Sequence, residues 1–257
     1  MTKTDKLRSA EEIRTLGLLL IDGFSLMSYA SVIEVFRAAN ALAGRTLYRW
    51  SHISVDGRPI HASNGATILA DFAVGQPFDC ETLFVFAGGD PTGFSDARTF
   101  AWLRRMAAQG AVITGVSAGP FLLARAGLLD GYRATIHWEN QDSFGEEFEE
   151  VILTKSVFVV DGNRLTTAGG TSSLDLMLKL IADDHGEETA NAVADQLIYS
   201  SIRTDQDTQR LSVPTRIGVR HPKLSQVIQQ MERNIEEPIS PSILARDVGM
   251  STRQLER

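Results

Sequence analysis

Cysteine is almost absent from the 257-residue sequence, in which Cys80 is the one example. This scarcity excludes an internal disulfide and any cysteine-rich zinc site, and it is compatible with a reducing compartment. Long hydrophobic runs are missing too, since none approaches the roughly 18 apolar residues of a membrane-spanning helix. The polar N-terminus also lacks the hydrophobic segment of a signal peptide. We therefore expect a cytoplasmic protein without a membrane partner.

Basic residues are also fewer than acidic residues. Lys and Arg number 25 against 32 Asp and Glu, and the net charge is -7. Nucleic acids and membrane surfaces are anionic and repel such a chain, so any contact with DNA has to be local. From residue 221 onward there are five basic and five acidic residues, so this last segment is neutral and the residues before it carry the whole negative charge.

Three continuous apolar runs are the main indication of fold. Each borders a Gly or an Asp and is followed by a helical pattern. Such runs are typical of strands that are buried on both faces of a parallel sheet. We therefore predict an α/β domain with a doubly wound, mostly parallel sheet of the flavodoxin-like type. The three predicted strands cover residues 16–21, 82–87 and 111–116.

Turn residues predict three hairpins between and after these strands. Asp-Gly at residues 56–57 and Asn-Gly at residues 64–65 interrupt strand-like alternation, and Asp-Gly at residues 161–162 does so again. Amphipathic patterns then predict a helix that ends at Gly186 and another over residues 187–197.

The composition changes near residue 200 and divides the chain into three parts. Residues 201–220 contain few apolar side chains and no sustained period, so we interpret them as a linker. A new helical stripe begins after them. We therefore assign residues 1–200 to a first domain, which the resemblance described below implies is ligand-sensing, and residues 221–257 to a separate all-α unit, which that resemblance implies is incomplete.

Two consecutive helix starts mark this second unit. Ser240 is a candidate N-cap with Pro241 at the first helical position, and Ser251 forms a capping box with Gln254. Gly249 lies in the short turn between the two helices. This pattern is typical of a helix-turn-helix, whose second helix begins at Ser251 and enters the major groove of DNA.

Ser117 lies in a turn of small residues between the third apolar run and a helical pattern. The five residues "GVSAG" around it match the G-x-S-x-G turn on which many hydrolases present a nucleophile. Hydrolases place an acid and then a His downstream, however, and His137 is too close to Ser117 for that arrangement. A small residue is also what a tight turn before a helix requires, so both interpretations stay open at this point.

Four successive motifs resemble the ThiJ/PfpI superfamily, which is class I glutamine amidotransferase-like. The C-terminal piece is similar to the start of an AraC-type DNA-binding domain, and the combination resembles AraC-family regulators with an amidotransferase-like sensor domain. The resemblance implies a DNA-binding transcriptional regulator. The alternative is a ThiJ/PfpI-superfamily enzyme, a hydratase or an amidase, with an appended helical segment. The four motifs are "LLLIDGFSLMSYASVIEVFRAAN", "FVFAGGDP", "GVSAGPFLLARAGLLDGYRATIHWE" and "LTTAGGTSSLDLML".

Two positions depart from the enzymes of this superfamily. Those enzymes carry a cysteine at the turn, whereas this sequence has Ser117, whose hydroxyl has no ionised form near neutral pH. They also commonly place an acidic residue on the first helix, and the matching position here is Ser28. Because both positions hold neutral hydroxyls, we expect no catalytic residue and interpret Ser117 as part of a ligand pocket.

The expected ligand is a small nitrogen-containing metabolite, either a zwitterionic amino acid or a quaternary amine, and the resemblance implies the same class. Backbone N–H groups at the turn suit a carboxylate, and Trp138 can hold a cationic amine by a cation–π contact, although core packing explains Trp138 equally well. No cofactor is expected, and the five histidines show no metal-ligand spacing. The predicted ligand-binding residues are Ser28, Gly88, Gly89, Ser117, Ala118, His137, Trp138 and Thr171.

The predicted recognition helix carries the DNA-binding residues. Its first turn approaches base edges or phosphates in the major groove, although a solvated surface charge is the alternative interpretation of Arg253. AraC-type domains have a second helix-turn-helix that this sequence lacks, so we expect part of a longer regulator that binds DNA poorly by itself. A homodimer is expected because its symmetry matches paired half-sites. The predicted DNA-binding residues are Ser251, Thr252, Arg253 and Arg257.

Overall fold

The structure is a computed structural model that describes residues 12–210, 221–235 and 237–257. The chain divides into two compact units, of which the first ends at Gln209 and the second begins at Arg210. Residues 201–209, which we predicted to be linker, thus belong to the first unit. The rest of the predicted linker, residues 211–220, lies outside the described residues.

A seven-stranded sheet forms the centre of the first unit. All its strand pairs are parallel except the pair at one edge, which confirms the predicted sheet. Two further pairs of short strands lie outside it. The strands are β1 Arg14–Leu20, β2 Tyr48–Ser54, β3 Ile60–His61, β4 Thr67–Ile68, β5 Phe72–Ala73, β6 Thr82–Ala87, β7 Val112–Ser117, β8 Arg133–Ala134, β9 Ile152–Leu153, β10 Phe158–Asp161 and β11 Arg164–Thr167. The order in the sheet is β10-β11-β7-β6-β1-β2-β5.

Two of the three predicted hairpins are present. Residues 64–65 lie between β3 and β4, and residues 162–163 connect β10 to β11, both in antiparallel pairs. The hairpin predicted at residues 56–57 is wrong, because β2 pairs in parallel with both β1 and β5. There the Asp56 carboxylate accepts the N–H of Arg58 and makes a local turn that leads the chain out of the sheet.

Helices cover both faces of the sheet. Alternate strand residues point to opposite faces, so Leu18 and Phe84 pack in one core while Leu19 and Val85 pack in the other. The first core is completed by α1, α5 and α6, and the second by α2, α3 and α4. The helix predicted to end at Gly186 does so. The six helices are α1 Leu26–Ala43, α2 Ala97–Ala108, α3 Gly119–Arg125, α4 Gln141–Glu147, α5 Ser172–His185 and α6 Glu187–Gln196.

The second unit contains α7 Pro222–Arg233, α8 Pro241–Asp247 and α9 Thr252–Leu255. Gly249, with a φ of 62°, lies in the turn between α8 and α9. The predicted capping box joins Ser251 and Gln254. Ser240 is the N-cap residue of α8, but its side chain caps no backbone N–H, because its hydroxyl bonds to that of Ser242.

No helix in the described ranges is both long and apolar enough to cross a membrane.

Candidate functional site

Ser117 is the last residue of β7, and its backbone has a φ of 62°. Positive φ is uncommon for a residue with a side chain and is found at strained, often functional turns. The helix α3 begins two residues later at Gly119. The sharp strand-to-helix turn predicted from "GVSAG" is therefore present, with Ser117 at its apex and 8% exposed.

The two glycines of this turn are required by packing. A Cβ atom on Gly119 would lie 2.0 Å from the carbonyl oxygen of Val85 in the neighbouring strand, and one on Gly115 would lie 2.8 Å from the nitrogen of Pro120. No side chain fits at either position without moving the backbone. The match to G-x-S-x-G is thus explained by close packing of α3 on the sheet and does not by itself indicate catalysis.

The loop after β11 passes over Ser117. A Cβ on Gly169 would lie 2.6 Å from the Cβ and 2.9 Å from the Oγ of Ser117. The next residue, Gly170, donates its N–H to the Oγ of Ser28 over 2.7 Å. Ser28 is buried in the first turn of α1. The structure therefore brings Ser28 and Ser117 to one place beneath the Gly169–Gly170 loop.

Gly88 and Gly89 follow β6 at the same end of the sheet. A Cβ on Gly88 would lie 2.6 Å from the carbonyl oxygen of Gly23, so this glycine allows the β6 loop to approach the β1 loop. Gly89 is exposed and has a φ of 59°. The buried Ala118 donates its N–H to the Ala87 carbonyl over 3.3 Å. The Ala118 N–H is therefore already bonded, so it is not among the backbone donors that we expected to bind a carboxylate at this turn.

His137 and Trp138 lie beside the turn. The backbone N–H of His137 donates to the carbonyl of Ser117 over 3.3 Å. The rings of His137 and Trp138 are tilted against each other with centroids 5.6 Å apart. Trp138 is 40% exposed, so core packing does not explain it. The Glu139 carboxylate lies 3.6 Å from the Nδ1 of His137 and places a negative charge beside this aromatic pair.

The sequence from residue 16 to residue 183 matches the DJ-1/PfpI family. This chain belongs to the DJ-1/PfpI family.

Its relatives include named regulators. The chain is 44% identical over 239 residues to the HTH-type transcriptional regulator CdhR of Pseudomonas aeruginosa, covering 93% of this chain and 71% of CdhR. It is 40% identical over 244 residues to GbdR, another HTH-type regulator of that organism, covering 95% of this chain and 66% of GbdR. A crystal structure of an AraC family transcriptional regulator from Pseudomonas putida superimposes with a TM-score of 0.66 at 27% identity, covering 72% of this chain and 99% of that one. The predicted resemblance to AraC-family regulators with a ThiJ/PfpI domain is thereby confirmed.

Thr171 lies at the edge of the site in the DJ-1/PfpI domain. It is the exposed N-cap residue of α5, and its side chain caps no backbone N–H. Its Oγ1 instead accepts a hydrogen bond from the Nη2 of Arg203 over 2.9 Å. Arg203 was missed from the sequence because it lies in the stretch that we interpreted as linker, where no periodic pattern indicates a packed residue.

Asp175 is a second residue that sequence reasoning missed. It lies in the first turn of α5, its side chain is fully buried, and its carboxylate binds Arg203 over 2.8 Å and the Tyr199 hydroxyl over 2.9 Å. Burial raises the pKa of Asp175, while the hydrogen bonds and charge of Arg203 and the Tyr199 bond lower it. The ion pair with Arg203 therefore offsets part of the free-energy cost of burying the Asp175 charge.

The predicted DNA-binding residues lie in the second unit, away from the DJ-1/PfpI domain in the chain. Ser251 caps α9, and Thr252 and Arg253 form its first turn with Arg253 exposed. Arg257 follows the end of α9 at Leu255.

In the described part of the chain, no group of three or more His, Cys, Asp or Glu side chains is arranged to hold a metal ion.

Proposed function

We propose that this chain is part of a DNA-binding transcriptional regulator whose DJ-1/PfpI domain binds a small nitrogen-containing metabolite without converting it. The C-terminal helices α8 and α9 belong to the part that reads DNA. The observation that carries the non-catalytic part of this proposal is the environment of Ser117 at the turn.

A serine nucleophile needs a base within hydrogen-bond distance of its hydroxyl. In the described residues, no side chain bonds to the Ser117 hydroxyl. The Ser28 hydroxyl accepts the N–H of Gly170, and the Nδ1 of His137 accepts the N–H of Glu139 over 3.4 Å. Ser117 has the backbone geometry of a nucleophile without the partner that would activate it, and this arrangement supports binding alone.

The walls of the site support an amino acid or a quaternary amine as ligand. His137 and Trp138 form an aromatic pair, and aromatic ring faces attract cations. Glu139 adds a negative charge beside that pair. The hydroxyls of Ser117 and Thr171 can donate to a carboxylate. On one small ligand, a positive group could therefore bind the aromatic pair and Glu139, and a negative group could accept hydrogen bonds from the two hydroxyls.

A thermal-shift screen against amino acids and betaines tests this proposal, because a ligand that binds only the native state raises the melting temperature. We expect a positively charged or zwitterionic amine to stabilise the wild-type chain and Trp138→Phe, which keeps an aromatic face. Trp138→Ala should respond less. Equal responses from Trp138→Ala and the wild type, or stabilisation by nitrogen-free acids alone, would contradict the proposed ligand class.

The DNA-binding part of the proposal is supported by the names of CdhR and GbdR and by the capped helix α9. We further propose a homodimer through the DJ-1/PfpI domain, because a two-fold axis matches paired half-sites on DNA. Light scattering of the chain at tens of micromolar should give the mass of two copies. The mass of one copy would contradict the proposed dimer.

A further inference from the structure

Residues 198–209, called the tail here, follow α6 and end where the first unit ends. The tail contains no helix or strand of its own. It is nevertheless hydrogen-bonded to the DJ-1/PfpI domain near both of its ends, to α5 through Tyr199 and Arg203 and to the residues just before β10 through Asp207 and Gln209. Two of these residues, Arg203 and Gln209, also bond to a candidate-site residue or to the neighbour of one.

The first anchor is Arg203. Its backbone N–H and its Nε donate to the two carboxylate oxygens of Asp175 over 2.8 Å and 2.9 Å. Its Nη2 donates to the Oγ1 of Thr171 over 2.9 Å. One guanidinium group thus joins a buried carboxylate to a hydroxyl at the rim of the site. A ligand that donates a hydrogen bond to the Thr171 oxygen competes with Arg203, whereas a ligand carboxylate can accept the Thr171 O–H beside it.

The second anchor is Gln209. Its side-chain amide donates to the Oγ1 of Thr135, the carbonyl of Ile136 and the carbonyl of Ser156 over 2.9 to 3.0 Å. Ile136 is the neighbour of His137, whose N–H bonds to Ser117. A displacement of His137 would therefore also move the Ile136 carbonyl, to which the Gln209 amide donates.

Between the anchors the tail packs poorly. A cavity of about 340 Å³ remains between the tail and the helices α5 and α6, and both apolar side chains such as Leu178 and Ile202 and charged ones such as Lys179 line it. Ile202 is 45% exposed. Because little apolar surface is buried, the two polar anchors hold the tail in place.

The start of the tail is strained. Ile198 has a φ of 55°, a backbone conformation that β-branched residues adopt only at an energetic cost. Its side chain is 92% exposed and gains no packing in return. The residue closes α6 by donating its N–H to the Asp195 carbonyl, while Tyr199 donates to that of Ala194. A tail with a strained start and two polar anchors is well suited to change its position when one anchor is disturbed.

We propose that the tail transmits occupancy of the DJ-1/PfpI site to the chain beyond Gln209, with Arg203 and Gln209 as the residues that sense the two walls. The inference rests on the proposed ligand site but not on the identity of the ligand. An occupant that displaces Thr171, donates to its oxygen in place of Arg203, or shifts His137 weakens one anchor, and the tail then loosens from α5 and from the residues before β10.

Hydrogen exchange measured by mass spectrometry tests this with a defined occupant. Ser117→Cys is treated with iodoacetate, which places a carboxymethyl group on the turn. The native Cys80 is buried and stays protonated, since burial raises its pKa to about 12, so it does not compete. Trp138→Cys provides a second attachment point in the candidate site. Leu69→Cys, exposed and distant in the sequence, is the matched control.

We expect carboxymethylation of Ser117→Cys or Trp138→Cys to accelerate exchange in residues 199–209 and at Val157, whose N–H bonds to Asp207, by about threefold or more. Carboxymethylation of Leu69→Cys should leave these amides unchanged. Unchanged exchange after labelling at both site positions would overturn the proposed coupling, while the thermal-shift screen would still decide separately whether the site binds a ligand.

Two substitutions locate the coupling within the first anchor. Thr171→Val removes only the hydroxyl that Arg203 binds, and Arg203→Lys keeps a charge for Asp175 but loses the planar fork. Both should loosen the tail without a label and reduce the further effect of labelling at least by half. If both variants show wild-type exchange and a full response to labelling, Arg203 does not sense the site.

Discussion

The backbone N–H of Gly170 donates to the hydroxyl of Ser28 over 2.7 Å and thereby joins residues that are 142 positions apart in the chain. The resemblance to the ThiJ/PfpI superfamily matches Ser28 to a position at which its enzymes commonly carry an acid. Here its oxygen serves as an acceptor for the loop that covers Ser117. The Ser28 hydroxyl therefore has a structural role, because it holds this loop in place.

Removal of this acceptor should destabilise the domain. Ser28→Ala leaves the Gly170 N–H without its partner, and we expect a loss of about 1 kcal/mol in the free energy of unfolding, measured by urea denaturation. Ser31→Ala is the matched control, because Ser31 is buried one turn further along α1. Equal losses in the two variants would show that the Ser28 bond adds nothing to stability.

The glycine at residue 119 should tolerate no side chain. A methyl group there would collide with the carbonyl of Val85 at 2.0 Å, and backbone atoms cannot yield as a flexible side chain does. We expect Gly119→Ala to reduce the free energy of unfolding by more than about 3 kcal/mol. Gly93→Ala, where a methyl group meets no atom within 4 Å, should change stability by less than about 0.5 kcal/mol.

Relief of the strain at residue 198 should stabilise the domain. Glycine adopts positive φ freely, so Ile198→Gly is expected to raise the free energy of unfolding by about 0.5–1 kcal/mol. The same change at Ile202, which has no positive φ, should lower it. A loss of stability in Ile198→Gly, seen in thermal or chemical unfolding, would show that the side chain contributes despite its exposure.

Stability should fall at high pH partly because of Cys80. Burial raises the pKa of its thiol from 9.0 to about 12, so the folded state resists ionisation that the unfolded chain undergoes. Its contribution is present below pH 9 and is lost as the pH rises toward 12. Between pH 9 and 10 this group should lower the free energy of unfolding by about 1 kcal/mol.

Cys80→Ala removes this dependence and should show a shallower decline over the same interval. Tyr29, whose pKa burial raises to about 12, adds its own decline only above pH 10 in both proteins. Parallel curves for Cys80→Ala and the wild type between pH 9 and 10 would mean that the thiol ionises equally in both states.

Local patterns predicted most of the fold. The β6 strand has the predicted bounds, and the Asn-Gly turn at residues 64–65 lies in the hairpin that such a pair favours. The hairpin after β2 was predicted wrongly because an Asp-Gly pair makes a hairpin as readily as a turn out of the sheet. Only the partner strands decide between these outcomes, and they lie elsewhere in the chain.

The site was less accessible from the sequence than the fold. Ser117 was found because its neighbours form a recognisable turn. Arg203 and Gln209 were missed because their partners lie 28 and 73 positions away, and no local period reports such contacts. The exposure of Trp138 could not be decided either, because an aromatic residue suits both a core and a pocket wall.

The central proposal is that the DJ-1/PfpI site binds its ligand without converting it. Calorimetric titration of the wild type and Ser117→Ala with the amine selected by thermal shift, followed by NMR of the recovered ligand and intact mass of the protein, tests this directly. We expect saturable binding, a loss of about 0.5–1.5 kcal/mol of binding free energy in Ser117→Ala, and ligand and protein recovered unchanged. Conversion of the ligand, or a covalent adduct on Ser117 that Ser117→Ala abolishes, would contradict the account.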